Sequence, residues 1–254
     1  MDALSDDLAA ESADLDRVLT PEALATPTPA PGWSVGDQIS HLWFFDQRAM
    51  MALTEPDRFA DDAEQLLGSR ADPSVEQGRA LAPEELLERW RQERADLVQY
   101  ARTLDPKVRV PWYGPAMSAR SFITARLMET WAHGQDVVDA LGADRPPTDR
   151  LRHVAHIGVG ARPFSYAANG LEPNPAPVRV ELVAPSGEVW TWGPEDAADR
   201  VTGPAIDFCL LVTQRRHRDD VALVAEGAAA DEWLGIAQAF AGPPGPGRRP
   251  GQFA

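Results

Sequence analysis

The segment SARSFITARLMETWAHGQDVVDALG, residues 118–142, decides how this chain is read. Ser118 offers a side-chain oxygen to cap a helix, and Gly142 stands just past its end. On that helix Glu129 and His133 sit at i and i+4, so their side chains leave the same face one turn apart. A carboxylate and an imidazole so placed can reach one metal ion at bond lengths of about 2.0–2.2 Å. The same spacing also suits a plain ion pair, so the reading depends on what the neighbouring helices supply.

Working back along the chain, Pro83 at a first helical position with Glu84 and Glu85 behind it starts another helix. Leu86, Leu87, Trp90, Leu97, Ala101 and Leu104 give it an apolar stripe, and Pro106 ends it. Residues 54–82 read as a long polar connection with a short helix near Glu64–Leu67, and 110–115 as a loop. Ser34, followed by Asp37, opens a helix from about Val35 to Leu53 whose apolar face includes Ile39, Leu42 and Ala49. Leu4, Leu8, Leu15, Val18 and Leu19 recur at helical spacing in residues 1–20, before the Pro-rich stretch 27–31. Four long helices in this order predict a four-helix bundle over 1–145.

Beyond Arg145-Pro146-Pro147 the pattern changes. A short helix is expected over Asp149–Arg162. Val178–Val183 and Glu188–Trp192 alternate around Pro185-Ser186-Gly187, a hairpin signal. A helix is expected from Ala205 to about Gln214, a strand over Val221–Ala225, and a last helix over Asp231–Phe240. Residues 146–241 thus read as a small α/β domain, and 242–254, rich in Pro and Gly, as a flexible tail. The fold class is α+β, with the reaction expected in the cleft between the domains.

The 254 residues carry a formal charge of −15. That argues against nucleic acid or an anionic membrane as partner, since both need a basic footprint. No run of about 18 apolar residues exists, and the acidic start lacks the pattern of a signal peptide. A cytoplasmic protein acting on a small molecule, as a monomer or homodimer, is the expectation. The single cysteine, Cys209, lies in the apolar run 208–212 and reads as a buried hydrophobe.

Of the five histidines, His41 is the natural third ligand. It lies on the second helix, one turn from Phe44 and Phe45. Two imidazoles and one carboxylate leave open positions, as catalytic metal sites do. Zinc is the favoured ion, on abundance and on its acceptance of nitrogen and oxygen ligands.

The stretch Pro31–Leu42 resembles the second-helix motif of the mycothiol-dependent maleylpyruvate isomerase family, a branch of the DinB-like helical bundles. Met128–Val137 resembles its fourth-helix motif. The resemblance implies a DinB-like bundle binding a divalent metal through His41, Glu129 and His133. Val189–Ala197 and Val201–Phe208 resemble an actinobacterial branch of metal-binding proteins whose C-terminal half is a small α/β domain. It further implies mycothiol as co-substrate and an isomerase or S-transferase adding a thiol to an electrophile. A metal acting as Lewis acid on a small carbonyl compound is the other enzymatic reading, and a non-catalytic protein binding metal and a small ligand is the alternative in class.

Arg126, and near the helix start Arg120, could grip a substrate carboxylate. Trp33, Trp43, Trp112 and Tyr113 could wall a pocket, and His156 could reach substrate. His153 and His156, at i and i+3, could also form a second metal pair, although a structural role fits them better. Asp37 and Asp136 could orient a ligand imidazole.

Overall fold

The computed structural model describes residues 1–68, 72–242, 244–245 and 247–253. The chain divides into two compact units, Met1–Arg145 and Pro146–Ala254.

The first unit is a bundle of four long helices: α1 (Asp2–Asp16), α2 (Val35–Thr54), α5 (Pro83–Arg102) and α6 (Ala119–Leu141). Each end is set by local chemistry. Ser34 Oγ accepts the Asp37 N–H and the Asp37 carboxylate accepts the Ser34 N–H, a complete capping box. Ser118 caps α6 by accepting from the Ser121 N–H, and Gly142 closes it in the left-handed conformation. The helix read over residues 1–20 ends at Asp16, and Leu19 packs into the core from the turn beyond it. Leu15, Ile39, Leu42, Trp43, Leu86, Leu87, Trp90 and Val137 form the core between the helices. Within the bundle, α2 packs on α5 and α6, and α1 on the same pair.

The stretch read as a polar connection is instead largely helical: α3 (Pro56–Gly68) and α4 (Pro73–Arg79), with residues 69–71 outside the described set. Polarity misled because α3 buries little more than Phe59 and Ala63, a narrow apolar seam. Helix α4 seats against α2 through Gly78. A Cβ at that position would come within 2.4 Å of the Ser40 side chain, so only glycine permits the approach. The Gly78 N–H donates to Ser40 Oγ at 2.9 Å, and Ser40 donates in turn to the Ser74 carbonyl. A two-stranded ribbon, β1 (Arg109–Val110) with β2 (Met117–Ser118), brackets the loop that carries Trp112 and Tyr113.

The second unit holds α7 (Leu151–Gly160), α8 (Arg162–Ala168) and a four-stranded sheet of order β4-β3-β5-β6. The hairpin of β3 (Val178–Val183) and β4 (Val189–Trp192) pairs Val183 with Val189. Strand β5 (Asp199–Pro204) was not legible in sequence; it runs parallel to β3, pairing Val201 with Val180. Its only buried residue is Val201, so no alternating stripe announces it. Helix α9 (Ala205–Val212) follows, then β6 (Val224–Glu226) and α10 (Ala228–Ile236). Cys209 is fully buried on α9, and burial pushes its thiol pKa well up, which suits a core hydrophobe.

The tail over 242–254 includes Pro243, Pro246 and Ala254, which lie outside the described residues. Its described part has no helix or strand, but it is tethered. The Gly251 N–H donates to Asp220 at 2.8 Å and the Arg216 guanidinium stands 4.1 Å from the Phe253 ring centroid. Among the described residues no helix is long and apolar enough to cross a membrane.

Candidate metal centre

His41 on α2 and Glu129 and His133 on α6 meet inside the first unit. Their donor atoms all lie within 4.8 Å of one another, and His133 Nε2 is 3.3 Å from Glu129 Oε2. The two imidazole centroids are 4.5 Å apart. Among the described residues this is the one group of three or more histidine, cysteine or acidic side chains close enough to hold an ion.

The hydrogen bonds behind the rings settle which nitrogen faces inward. Ser74 Oγ donates to Asp72 Oδ1 at 2.5 Å, and a hydroxyl has one proton. At the 2.9 Å contact with His41 Nδ1, Ser74 is therefore the acceptor and Nδ1 carries the hydrogen. On the other side, Gln38 Nε2 donates to Thr28 Oγ1 at 3.1 Å, and Thr28 donates to the Trp33 carbonyl at 2.9 Å. That chain turns Gln38 Oε1 toward His133 Nδ1, 2.5 Å away, so this ring too is protonated on Nδ1. In its neutral form each imidazole then presents its lone pair at Nε2, on the side of Glu129. Two neutral imidazole nitrogens and a carboxylate oxygen are a donor set that a divalent ion such as zinc accepts, and ligand histidines usually donate their second N–H in this way. The residues present fit the group.

Aromatic rings wall the site. The Trp33 ring is 5.2 Å from His41 and stacks at 15° over His133, 6.0 Å away. Trp33 is carried there by the loop before α2, where Thr28 N–H donates to the Trp33 carbonyl and Gly32 takes a positive φ of 79°. Phe45 lies 4.6 Å from His41 and touches Tyr113 edge-on at 5.7 Å. Phe59 stacks flat on Trp112, which meets Phe122 edge-on. Burial pushes the Tyr113 phenol up to about 12, against the nearby Arg48 and Arg126 charges, so it stays a neutral donor.

Other expected site residues fall as follows. Arg126 is buried on α6 one turn before Glu129, and its NH2 donates to Asp46 at 3.0 Å. Asp37 does not orient an imidazole. Its carboxylate is spent on the capping box and on Arg79, at 2.9 and 3.1 Å. The residue that reaches His133 is the next one, Gln38, because a helix turns about 100° per residue and aims the two side chains apart. Asp136 is buried on α6. In the second unit, His156 on α7 accepts from Trp192 Nε1 at 3.3 Å, and no third donor joins it and His153 among the described residues. Sequence reasoning missed Gln38 and Ser74. Gln38 stands three residues before His41, a same-face helical spacing that would have flagged it. Ser74 had no such signal, because α4 itself was not foreseen.

Residues 5–138 match the family described as Mycothiol maleylpyruvate isomerase N-terminal domain. Residues 174–226, which hold β3 to β6, match one described as Wyosine base formation. Two uncharacterized proteins, from two strains of Mycobacterium tuberculosis, are each 49% identical over 248 residues, covering 95% of this chain and 96% of theirs. The crystal structure of the mycothiol-dependent maleylpyruvate isomerase superposes with a TM-score of 0.56 at 15% identity, over 88% of this chain and 91% of that one. A point mutant of the same enzyme gives 0.55 at 16%, over 87% and 91%. At that identity the likeness speaks for a shared DinB-like α+β fold, and with the match over residues 5–138 it follows that the chain belongs to the mycothiol maleylpyruvate isomerase N-terminal domain family.

Proposed function

We propose that the chain is a metal-dependent enzyme that joins a low-molecular-weight thiol, mycothiol in the first instance, to a small electrophilic substrate. The observation that carries this reading is the His41–Glu129–His133 set, whose two imidazoles are locked by Ser74 and Gln38 with Nε2 facing inward. These three residues would hold a divalent ion, zinc by preference. When bound, the ion supplies positive charge that lowers the pKa of an incoming thiol and favours its thiolate.

The protein's own groups then do the positioning. Gln38 and Ser74 keep the imidazoles from turning. Trp33 and Phe45 flank them, limit water and offer apolar faces to a substrate. Tyr113, kept protonated by burial, donates a hydrogen bond rather than taking a proton. In the reaction, a carbon–sulfur bond forms at an activated alkene and its electron pair moves to the adjacent carbon. In an isomerase the carbon–carbon bond rotates and the thiolate leaves again, restoring the alkene in its other geometry. In a transferase the adduct takes a proton and is released. A cytoplasmic setting, where such thiols are kept reduced, completes the reading.

The test is to purify the untagged chain, measure its metal content, and incubate it with mycothiol and a panel of cis-enedioic acids and epoxides. Thiol-dependent turnover that stops on chelation and returns with zinc is the expected result. A protein that takes up no divalent ion after reconstitution, or one that turns over equally well without it, overturns the proposal.

A further inference from the structure

One buried polar layer reaches all four long helices of the first unit. Asp46 on α2 is fully buried, and Arg94 on α5 grips both of its oxygens, Nε to Oδ2 at 2.8 Å and NH2 to Oδ1 at 3.0 Å. Arg126 on α6 donates to the same Oδ1 at 3.0 Å. The third Arg94 nitrogen, NH1, donates to Ser12 Oγ on α1 at 3.2 Å and to Thr130 Oγ1 on α6 at 2.6 Å. Both hydroxyls pass their own proton along their helix, Ser12 to the Leu8 carbonyl and Thr130 to the Arg126 carbonyl. Toward Arg94 they can therefore only accept.

Stability is a poor account of this layer. Taking two guanidiniums and a carboxylate out of water carries a large desolvation penalty, and well-packed apolar side chains of similar volume commonly stabilise a fold as well or better. What apolar contacts lack is direction. Leucine and methionine side chains repack after one helix slides past another. The forked bonds of Arg94 to Asp46, and its reach to Thr130, are met at one alignment only.

The layer stands close to the three ligands. Two ties join α2 to α6: Gln38 to His133, and Asp46 to Arg126. The first pairs the earlier residue of α2 with the later one of α6, so the two helices run antiparallel. His41 lies between Gln38 and Asp46 in the chain, Glu129 lies between Arg126 and His133, and Thr130 directly follows Glu129. A slip of one helical turn would move His41 about 5.4 Å along α6. That exceeds the 4.8 Å within which all three donor atoms now lie. A metal ion tolerates departures of only about 0.2 Å from its bond lengths.

We infer that the Asp46–Arg94–Arg126 layer fixes α2 against α6, so that His41 stands opposite Glu129 and His133 before an ion arrives. Asp46 and Arg94 are positioning residues: they act through the helices that carry the ligands, not on the ion. The layer holds one end of the shared stretch and the Gln38–His133 bond holds the other. The inference rests on the proposed metal centre for what the alignment serves, while the alignment itself can be read in metal-free protein.

The experiment replaces the layer in the full chain by apolar side chains, Asp46→Leu with Arg94→Met and Arg126→Met. Thermal melting gives stability, chelator competition gives zinc affinity, and nitrogen-15 NMR of the metal-free protein, at a pH where imidazoles are neutral, gives the ring tautomers. The melting temperature should equal or exceed that of wild type. Zinc affinity should nevertheless fall about tenfold or more. In the metal-free variant His133 should populate both tautomers, because its acceptor Gln38 rides on α2. His41, whose partner Ser74 lies on α4, should keep its Nδ1 proton and serves as the internal control. Arg126→Met alone leaves Arg94 joining Asp46 to Thr130 and should return both readings toward wild type. A triple variant with wild-type zinc affinity and a wild-type His133 tautomer overturns the inference. If that variant loses stability or fails to fold, Thr130→Val, nearly the same shape but no acceptor for Arg94, decides by the same readings. A loss of about threefold in affinity, the scale of one weakened hydrogen bond, is expected, and no change overturns the inference. Wild-type protein that takes up no zinc refutes the metal reading, and the His133 tautomer alone then decides the alignment.

Discussion

His133 and Gln38 meet across two helices: Nδ1 of the imidazole lies 2.5 Å from the amide oxygen, and both residues are buried. The amide is itself held by Thr28 in the loop that carries Trp33. One hydrogen-bonded chain thus links the aromatic wall of the site to the orientation of a ligand ring.

Gln38→Leu should therefore weaken zinc binding about 10- to 100-fold, the usual cost of removing such a partner. The imidazole would lose its acceptor and turn. Competition against a chromogenic chelator measures it, and unchanged affinity would show that the contact does not orient the ring.

Ser74→Ala should act on His41 in the same way and by a similar factor, since the hydroxyl passes its own proton to Asp72 and accepts from His41. Asp72→Asn should be milder. It keeps an acceptor for the Ser74 hydroxyl but removes the charge, and the same chelator assay resolves the order.

Glu129→Gln should abolish metal-dependent turnover while the fold survives. Gln is nearly isosteric with Glu, but its neutral oxygen is a far poorer ligand. His41→Ala and His133→Ala should each lose activity to a like degree, and the double variant should add little further loss if all three serve one centre. Additive losses in turnover would separate them.

Gly78→Ala should destabilise the first unit by about 1–3 kcal/mol, the cost of forcing a methyl group into a closed contact. The added Cβ would press on Ser40, push α4 from α2 and draw Ser74 away from His41. Thermal melting reports the first effect and zinc affinity the second. A loss of stability with normal zinc affinity would show that α4 does not position the ligand.

The stability conferred by Asp37 should depend on pH in one direction. Burial alone would raise its carboxyl pKa, but hydrogen bonds from Arg79 and from Ser34 outweigh that and hold it below the usual range. A folded-state pKa below the unfolded value means stability that is present above about pH 4 and is lost as pH falls through the folded value. Asp37→Asn should cost about 1 kcal/mol at pH 7, as lost caps do, and the gap to wild type should close in acid. Urea unfolding at pH 7 and at pH 3 gives both numbers.

The four long helices of the bundle could be read from the chain because their signals are local. Ser34 with Asp37, Ser118, Gly142 and Pro83 act within a turn of their own backbone, and apolar periodicity did the rest. Glu129 and His133 share a face through helical geometry alone, whatever the helix packs against. His41 was named by its place on the second helix and by likeness to a family motif, and only the crossing of α2 and α6 brings its ring to 4.5 Å from His133. The tertiary structure alone decided what stands behind these rings. Ser74 reaches His41 from a helix 33 residues on, seated by a glycine whose absent side chain leaves no pattern to read. Nothing in the spacing around Arg126 marks its burial against Asp46, 80 residues away. Strand β5 exists through pairing with β3 rather than through any stripe of its own. Spacing along one helix is a property of the backbone, whereas burial and hydrogen-bond partners at long separation are properties of how the helices pack.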